Sequence, residues 1–366
     1  MIARSHVAVI GGGIGGLSTA LALAMQGASV VVFEQAPEIA EVGAGLQITP
    51  NGARVLTWLG LEEALQAKGL QAKAVVPTNG LTGRAVTRFD LSRQTPPYRF
   101  VARSALIEML ARACRARGVD IVLNHRAEDL PEADLVIGAD GIRSATRGLL
   151  NDTAKARFTG QVAWRAVIPT KAAPEARIWM LPRRHVVTYP LPGDGLNIVA
   201  VQERADWADE GWHHPDDPAH LREAFADACG PLQDLLMQVD APLLWGLFQH
   251  PVAPVWVTDR VALVGDAAHP TLPFLAQGAN LALEDAAVLA RQIALHGLQD
   301  GLPRYQALRQ PRVQRAIATA SANAVNYHLR GPRRMLAHAG LRALGRVAPD
   351  AFIGRLDWLY GFDATA

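Results

Sequence analysis

A chain of 366 residues with 50% hydrophobic and 19% charged residues can bury a large core and is too long for one ordinary compact domain, so two lobes are expected. Its two cysteines, Cys114 and Cys229, both lie in stretches with a helical pattern, which argues against a disulfide framework and favours a cytoplasmic protein. The formal net charge of +2 gives no reason to expect a nucleic-acid partner.

The first segment has the pattern strand, turn, helix. His6–Ile10 is apolar and β-branched like a buried parallel strand, and residues 17–25 are small and apolar like a helix packed on a sheet. Between them, Gly11, Gly13 and Gly16 take the glycine positions of the pattern G-x-G-x-x-G. The first permits a tight turn, the second lets the backbone approach a pyrophosphate, and the third lets the helix pack on the strand. The segment therefore predicts a dinucleotide site at a helix N-terminus.

The second strand, Ser29–Phe33, ends directly before Glu34. Glu34 lies eighteen residues after the last glycine of the turn, close to the spacing of the carboxylate that accepts ribose hydroxyls in dinucleotide-binding folds. This pattern does not by itself distinguish FAD from NAD. The cofactor-binding residues predicted from the segment are Gly11, Gly13, Ile14, Gly15, Gly16, Glu34 and Gln35.

Two later segments narrow the choice of cofactor. Residues 134–144 contain an apolar strand that leads to Asp140, and residues 260–270 contain another that leads to Asp266. Together with the glycine fingerprint, they resemble the three signatures of the class A flavoprotein monooxygenases, the family of para-hydroxybenzoate hydroxylase and salicylate hydroxylase. The resemblance implies that the bound dinucleotide is FAD.

The resemblance extends over nearly the whole chain. Residues 43–51 resemble the loop that passes the flavin, residues 163–165 a strand of the substrate domain, and residues 356–360 the C-terminal signature. It implies an enzyme that consumes NADH or NADPH and inserts one atom of O2 into a small phenolic or hydroxylated heterocyclic substrate through a flavin C4a-hydroperoxide. Because the chain has no second glycine fingerprint, the nicotinamide is expected to bind transiently over the FAD lobe.

The resemblance also assigns cofactor contacts outside the first segment. It places Asp266 at the ribityl chain and the pyrophosphate, Arg103 at the cofactor, and Asp140 in the loops on the phosphate side. Gly45 belongs to the flavin loop. Each charged residue has an ordinary alternative role, as a turn or cap residue for the aspartates and as a solvated side chain for the arginine.

A loop that contains two prolines, residues 270–280, leads into a helix predicted over residues 281–293. Backbone N–H groups at this junction are expected to stabilise the negative charge that reduced flavin carries at N1 and O2. These groups belong to Gly278, Ala279 and Asn280. Glu284 and Asp285 are expected in the first helical turn as partners of the helix dipole.

The residues expected to meet the substrate are Gln47, Tyr189 and His185. Residues 185–191 read as a half-buried strand, on which Tyr189 and His185 are four residues apart and share a face. If the substrate is a phenol, Tyr189, His185 or a bound water must relay its proton, because Gln47 can orient a ligand but cannot titrate. Simple packing is the alternative role for the tyrosine and the histidine.

The predicted fold class is α/β, with a Rossmann-like FAD-binding lobe, an inserted antiparallel β-sheet substrate lobe and C-terminal helices. The FAD lobe is predicted to comprise residues 1–70, 98–157 and 258–300, the substrate lobe residues 71–97 and 158–257, and the helical segment residues 301–366. Only eight residues separate His125 from Asp134, where many relatives carry a β-meander that borders the adenosine, so the adenine contacts stay open.

Two polar clusters have simple interpretations. The cluster that most resembles a metal site has a spacing that matches no known site and is flanked by prolines, so a surface loop and no metal are expected. It consists of His213, His214, Asp216, Asp217 and His220. From residue 291 onward the chain has eleven arginines and four acidic residues. Around residues 330–346 the arginines interleave with leucines, which favours a solvated helix face and leaves contact with a membrane surface or an anionic partner as the alternative.

Two other functions remain open at this point. The same scaffold could hydroxylate a lipid quinone precursor or a polycyclic compound, and the chain could be a non-catalytic FAD-binding protein. The sequence does not choose between NADH and NADPH, and it does not identify the substrate or the position that is hydroxylated.

Overall fold

The computed structural model describes residues 2–39, 45–152, 155–205 and 214–366. Within them the strands are β1 (His6–Ile10), β2 (Ser29–Phe33), β3 (Gly45–Ile48), β4 (Gly69–Gln71), β5 (Ala74–Asn79), β6 (Phe89–Asp90), β7 (Arg99–Ala102), β8 (Asp120–Val122), β9 (Leu135–Gly138), β10 (Arg157–Ile168), β11 (Glu175–Leu181), β12 (Arg184–Leu191), β13 (Gly195–Glu203), β14 (His214–Pro215), β15 (Leu243–Gln249) and β16 (Val261–Leu263). The α-helices are α1 (Ile14–Met25), α2 (Pro50–Trp58), α3 (Glu62–Lys68), α4 (Arg103–Ala116), α5 (Ala145–Leu150), α6 (Pro218–Ala224), α7 (Gly230–Met237), α8 (Gly278–Tyr327), α9 (Gly331–Val347), α10 (Pro349–Gly354) and α11 (Asp357–Tyr360). Two 3-10 turns cover Gly265–Ala267 and Pro273–Leu275.

A five-stranded parallel sheet forms the first lobe, with the strand order β16-β9-β1-β2-β8. Its central strand is fully buried at Val7, Ala8 and Val9, as a parallel strand covered on both faces requires. Helix α1 packs against α4 and α8. This arrangement confirms the predicted Rossmann-like lobe.

An eight-stranded sheet forms the second lobe, with the order β14-β15-β10-β13-β12-β11-β5-β6. One face packs on α6 and α7 through a cluster that includes Trp164, Phe225 and Leu232. The strand predicted at 185–191 appears as β12, which pairs with β11 and β13. Neighbouring strands are antiparallel except β5 and β11, which pair in parallel. The third sheet, of order β3-β7-β4, is antiparallel.

The C-terminal region is helical, as predicted. Helix α8 is kinked at Gly297, whose φ of 75° lies in the left-handed region that glycine tolerates. On α9, Met335 and Leu336 are each 73% exposed beside several arginines, and membrane contact of this helix stays a prediction. None of the described helices has the length and apolar character needed to cross a bilayer. The lobe boundaries given above also stay predictions.

Candidate active site

A cavity of about 280 Å³ lies between the glycine-rich turns of the parallel sheet and one face of the eight-stranded sheet. Eleven of the residues predicted for the site line it: Gly13, Ile14, Gly15, Gly45, Gln47, Arg103, His185, Tyr189, Asp266, Gly278 and Ala279. The predicted residues that do not line it are Gly11, Gly16, Glu34, Gln35, Asp140 and Asn280. Residues 43 and 44 of the flavin loop lie outside the described residues.

The three glycines of the first turn differ in what surrounds them. A Cβ on Gly11 would lie 2.3 Å from the carbonyl oxygen of Ala139, and its φ of 108° disfavours other residues. A Cβ on Gly16 would lie 1.9 Å from the carbonyl oxygen of Gly11. A Cβ on Gly13 would meet no protein atom within 4 Å. The fold therefore requires glycine at 11 and 16, whereas the open space at Gly13 fits a pyrophosphate against the backbone.

Glu34 lies at the end of β2, where it faces the glycine turn. Its carboxylate accepts hydrogen bonds from the N–H of Gly12 at 2.6 Å and of Ala36 at 2.8 Å. An ionised carboxylate has about four acceptor positions, so two remain for ribose hydroxyls. Gln35 is exposed beside it. The geometry fits an FAD whose adenosine half passes this edge of the sheet.

The two aspartates of the later motifs have different surroundings. Asp140 accepts hydrogen bonds from the hydroxyl of Ser144 and from both the N–H and the hydroxyl of Thr146, the latter two at 3.0 and 3.1 Å. Its carboxylate therefore shapes the loop that begins α5. Asp266 lies in a 3-10 turn and lines the cavity, and Arg103, the first residue of α4, lines it as well.

Helix α8 begins at Gly278, three residues before the predicted start, and its first turn lies at the cavity. The N–H of Leu281 bonds to the carbonyl of Gln277, which leaves the first N–H groups of the helix outside its own ladder. They are oriented as an anion site requires. The Asn280 side chain is buried and bonds to Thr49 N at 3.0 Å, Gln47 O at 2.9 Å and Ala276 O at 2.8 Å, so only its backbone is left for a cofactor.

Glu284 and Asp285 are not dipole partners in the first turn of α8. Because the helix starts earlier than predicted, they lie in its second turn, where both are fully buried. Glu284 pairs with Arg309 and Arg312, and Asp285 pairs with Arg309 at 2.7 Å. Burial alone would raise the pKa of Asp285, but His269 and Arg309 outweigh it and hold that pKa below its ordinary value.

This buried ion pair network also fixes two loops at the cavity. Asp285 Oδ2 accepts hydrogen bonds from the N–H of Gly265 at 2.9 Å and from His269 Nε2 at 2.6 Å, which anchors the segment that carries Asp266. Glu284 Oε1 accepts a hydrogen bond from Asn51 Nδ2 at 2.6 Å, which anchors the start of α2. The network therefore joins the segment that carries Asp266 to the start of α2.

Gln47 and Tyr189 present donors at the substrate end of the cavity. Gln47 Oε1 accepts a 2.6 Å hydrogen bond from the hydroxyl of Tyr98, so the amide N–H groups of Gln47 are left to donate. Tyr98 is buried and was not among the residues predicted for the site. Tyr189 stacks on Phe100 with ring centroids 5.2 Å apart. Burial raises the pKa of Tyr189 above its usual range against the opposing effect of Arg165, so its hydroxyl stays protonated.

His185 is the group in this set that can accept a proton. It is buried, and burial together with the neighbouring His328 holds its pKa well below the ordinary value. Its Nδ1 lies 2.7 Å from Nε2 of His328, whose Nδ1 lies 3.1 Å from Oε1 of Glu203. His328 could not be predicted from the sequence, because no local pattern joins residues 143 positions apart.

The two buried histidines predict how stability depends on pH. Burial lowers the pKa of both in the folded protein, although Glu203 acts in the opposite sense on His328. The unfolded chain binds more protons near and below the ordinary value of 6.5, so stability is complete above it and is lost as the pH falls. Each histidine is expected to lower the unfolding free energy by up to ~1.4 kcal/mol per pH unit.

Urea unfolding of the apoprotein from about pH 7 to about pH 5.5 measures this dependence. The His328→Gln variant is expected to lose stability less steeply with falling pH than the wild type. An equally steep decline in both proteins would contradict the assignment of a neutral, buried His328.

The polar cluster near the start of α6 has structural roles. Asp216 accepts hydrogen bonds from Trp164 Nε1 at 2.6 Å and pairs with His220 at 2.8 Å, and Asp217 caps α6 through the N–H of Ala219 at 2.8 Å. His213 lies outside the described residues. Among the residues that are described, no group of three side chains is arranged to hold a metal ion.

The chain matches known proteins over most of its length. A family model described as an FAD binding domain matches residues 4–132 and 127–320. The chain is 34% identical to a 3-amino-4-hydroxybenzoate 2-monooxygenase of Streptomyces platensis, covering 99% of this chain and 97% of that protein. It is 30% identical to a 6-hydroxynicotinate 3-monooxygenase of Bordetella bronchiseptica, covering 90% and 93%.

A solved structure extends the likeness to the fold. The substrate complex of a salicylate hydroxylase superposes with a TM-score of 0.82 and 25% identity, covering 99% of this chain and 96% of that one. Because its relatives are enzymes, the reading as a non-catalytic FAD-binding protein is not favoured. The chain belongs to the class A FAD-dependent aromatic monooxygenases, which hydroxylate small aromatic or heterocyclic substrates with NADH or NADPH as co-substrate.

Proposed function

We propose that the enzyme hydroxylates a small phenol or hydroxylated N-heterocycle that carries a carboxylate. One observation supports this most strongly: the cavity has a glycine-rich dinucleotide cradle on one side and a base, two donors and a cation on the other. The base is His185, the donors are Gln47 and Tyr189, and the cation is Arg165. The relatives named for aminohydroxybenzoate and hydroxynicotinate act on rings of this kind.

Arg165 is the group that recognises the carboxylate in this proposal. It lies on the cavity face of β10, with its guanidinium 4.3 Å from the centroid of the Trp245 ring. A planar guanidinium fixed on an aromatic face is preorganised for two parallel hydrogen bonds to a carboxylate. The sheet therefore presents a rigid anion anchor at the substrate end of the cavity.

His185 is the proposed acceptor of the ring hydroxyl proton, because it lines the cavity and its hydrogen bond to His328 uses only Nδ1. Tyr189 and Gln47 donate hydrogen bonds that orient the ring but do not take a proton. The apolar side chains Val187, Val199 and Val201 line the wall between them and limit water. When bound, FAD reduced by NAD(P)H supplies the oxygen-transfer chemistry.

The cofactor contacts follow from the same geometry. Gly13, Ile14 and Gly15 would hold the FAD phosphates, Glu34 would accept hydrogen bonds from a ribose, and Gly45, Arg103 and Asp266 would contact the flavin. The backbone N–H groups of Gly278 and Ala279 at the N-terminus of α8 would stabilise the negative charge of reduced flavin. Gly11, Gly16 and Asp140 act indirectly by shaping these turns. Consumption of NAD(P)H and two buried free thiols fit a cytoplasmic enzyme.

A panel of hydroxylated benzoates, hydroxypyridine carboxylates and uncharged phenols tests the proposal, scored for both NAD(P)H oxidation and hydroxylated product. His185→Gln is expected to lower kcat for the best substrate by about 10²–10⁴-fold, as for loss of a general base. Tyr189→Phe is expected to lower kcat/KM only slightly, by an amount equal to a loss of about 0.5–1.5 kcal/mol in transition-state stabilisation, since it removes one hydrogen bond. Full activity in both variants would dismiss these roles.

Arg165→Gln separates carboxylate recognition from chemistry. It is expected to raise KM for the carboxylated substrate and to leave KM for the matching uncharged phenol nearly unchanged. Equal effects on both compounds would remove Arg165 as the anchor. If no phenol or heterocycle is hydroxylated while a lipid quinone precursor or a polycyclic compound is, the substrate class is wrong.

A further inference from the structure

A row of three hydrogen-bonded side chains links the cavity to the protein surface. His185 lines the cavity and is 2% exposed. Its Nδ1 lies 2.7 Å from Nε2 of His328, and Nδ1 of His328 lies 3.1 Å from Oε1 of Glu203. The side-chain exposure rises from 4% at His328 to 39% at Glu203. The row therefore starts at the proposed substrate and ends in solvent.

The main chain holds the row in place. His185 lies on β12 and Glu203 at the end of β13, and His328 follows α8 directly. The N–H of Arg183 donates to the carbonyl of His328 at 3.1 Å, and the N–H of Glu203 donates to the carbonyl of Arg183 at 3.0 Å. The ring of His185 also packs against Tyr327, with centroids 5.2 Å apart. These contacts fix the backbone positions of all three residues relative to one another.

The hydrogen bonds also fix which ring nitrogens carry protons. Glu203 is an acceptor when ionised, so Nδ1 of His328 must be the N–H that donates to it. Nε2 of His328 is then an acceptor, because a neutral imidazole has one donor and one acceptor. It takes its hydrogen bond from Nδ1–H of His185. Nε2 of His185 is left with a lone pair for the cavity, which is the state a base requires.

Burial and a few neighbouring groups determine the protonation of the two histidines. Burial keeps both imidazoles neutral by lowering their pKa, with His328 acting in the same sense on His185 and Glu203 in the opposite sense on His328. Arg183 lies 3.5 Å from Glu203 at the surface. Tyr327 contacts His185 through its ring. A row of neutral imidazoles passes a proton without creating a lasting buried charge.

We propose that His185, His328 and Glu203 form a proton conduit between the substrate hydroxyl and solvent, an inference that rests on the proposed function. The hydroxyl proton moves to Nε2 of His185, the Nδ1 proton of His185 moves to Nε2 of His328, and the Nδ1 proton of His328 moves to Glu203 and then to water. Only O–H and N–H bonds form and break. Because the product is again a phenol, a proton returns along the same path and restores the starting tautomers.

The resting tautomers are tested without any substrate. Side-chain ¹⁵N spectra of the apoprotein, with assignments from His185→Gln and His328→Gln, are expected to show Nδ1–H on both histidines. A neutral Nε2–H form of either histidine, or a protonated His328 near neutral pH, would overturn the conduit whatever the substrate is.

Proton movement is measured by stopped flow on the oxidised, FAD-loaded enzyme without NAD(P)H. The probe is 3-hydroxybenzoate, or the phenol of the panel that binds most tightly, and an indicator dye reports proton release as the bound phenol ionises. His328→Gln is expected to slow release by about 10²-fold with little change in Kd, because the residue does not line the cavity.

Three surface or neighbouring variants complete the test. Glu203→Gln is also expected to slow proton release. Glu203→Asp keeps the carboxylate and is expected to release protons faster than Glu203→Gln. Both changes are at a partly exposed side chain, so folding is preserved. Tyr327→Phe keeps the packing against His185 and is expected to release protons like the wild type.

The outcomes separate the two proposals. Unchanged release in both His328→Gln and Glu203→Gln, with hydroxylation intact in the wild type, would overturn the conduit and leave the proposed function standing. A slow His328→Gln beside a fast Glu203→Gln would overturn the exit through Glu203. Absence of hydroxylation of every phenol by the wild type would instead remove the proposed function.

Discussion

The Gly13→Ala variant is expected to fold like the wild type and to bind FAD about 5- to 150-fold more weakly. Gly13 is the residue before α1, and a Cβ there would meet no protein atom within 4 Å, so the apoprotein tolerates the methyl group. The same space is where the pyrophosphate must approach the backbone. The added methyl therefore opposes cofactor binding and not folding.

Fluorescence titration of FAD into apoprotein and thermal unfolding of the apoprotein measure the two effects separately. Gly16→Ala is the contrasting variant, because its Cβ would lie 1.9 Å from the carbonyl oxygen of Gly11 and must also lower the Tm of the apoprotein. Gly340→Ala on exposed α9, where a Cβ also has open space, is the matched control and is expected to keep wild-type FAD affinity. Wild-type FAD affinity in Gly13→Ala would mean that the phosphates bind elsewhere.

The first lobe was predictable because its constraints are local. Gly11 and Gly16 are forced by contacts within one turn and its neighbouring strand, and β1 and β2 are short apolar runs with clear ends. Alternation along 185–191 likewise placed His185 and Tyr189 on one face, and both line the cavity. A backbone requirement or a strict period leaves its mark in a short stretch of sequence.

Pairings between distant segments left no such mark. The parallel contact of β5 with β11 joins strands about a hundred positions apart, and nothing in either strand specifies the other. The start of α8 was placed three residues late, because the N–H groups at Gly278 carry no side-chain cap that a pattern could reveal. With the earlier start, Glu284 and Asp285 lie in the second turn, where both are buried, and not in the first turn as dipole partners.

The set of site residues predicted from the sequence is incomplete because contacts between distant segments have no local sequence pattern. Tyr98 fixes the Gln47 amide, and His328 continues from His185 toward solvent, yet each is an isolated residue in its own segment. Arg309 is one of eleven arginines from residue 291 onward, and no sequence pattern distinguishes it from the others, yet it is fully buried. Tertiary packing decides whether such a side chain is a surface charge or the centre of a network.

Arg309→Met is expected to lower the unfolding free energy of the apoprotein by about 3–5 kcal/mol, the range for a buried ion pair that loses one partner. The guanidinium is fully buried and bonds to Glu284, to Asp285 at 2.7 Å and to the carbonyl of Leu281 at 3.1 Å. Methionine keeps much of the volume but removes the guanidinium, so the carboxylate of Asp285 keeps only His269 as an ion-pairing side chain. Burial opposes the charge of Arg309, and its pKa is nevertheless raised by the two carboxylates, which is the sign of a pair in which each charge depends on the other.

Urea unfolding at fixed pH measures this loss. The apoprotein is used because bound FAD would add to the apparent stability. Arg304→Met removes the same charge from an exposed position of α8 and is expected to change stability by no more than about 0.5 kcal/mol. Asp285→Asn in the Arg309→Met background is expected to recover part of the loss, because it removes a buried charge that has lost its guanidinium partner. A loss in Arg309→Met no larger than in Arg304→Met would show that the network is not what holds these loops.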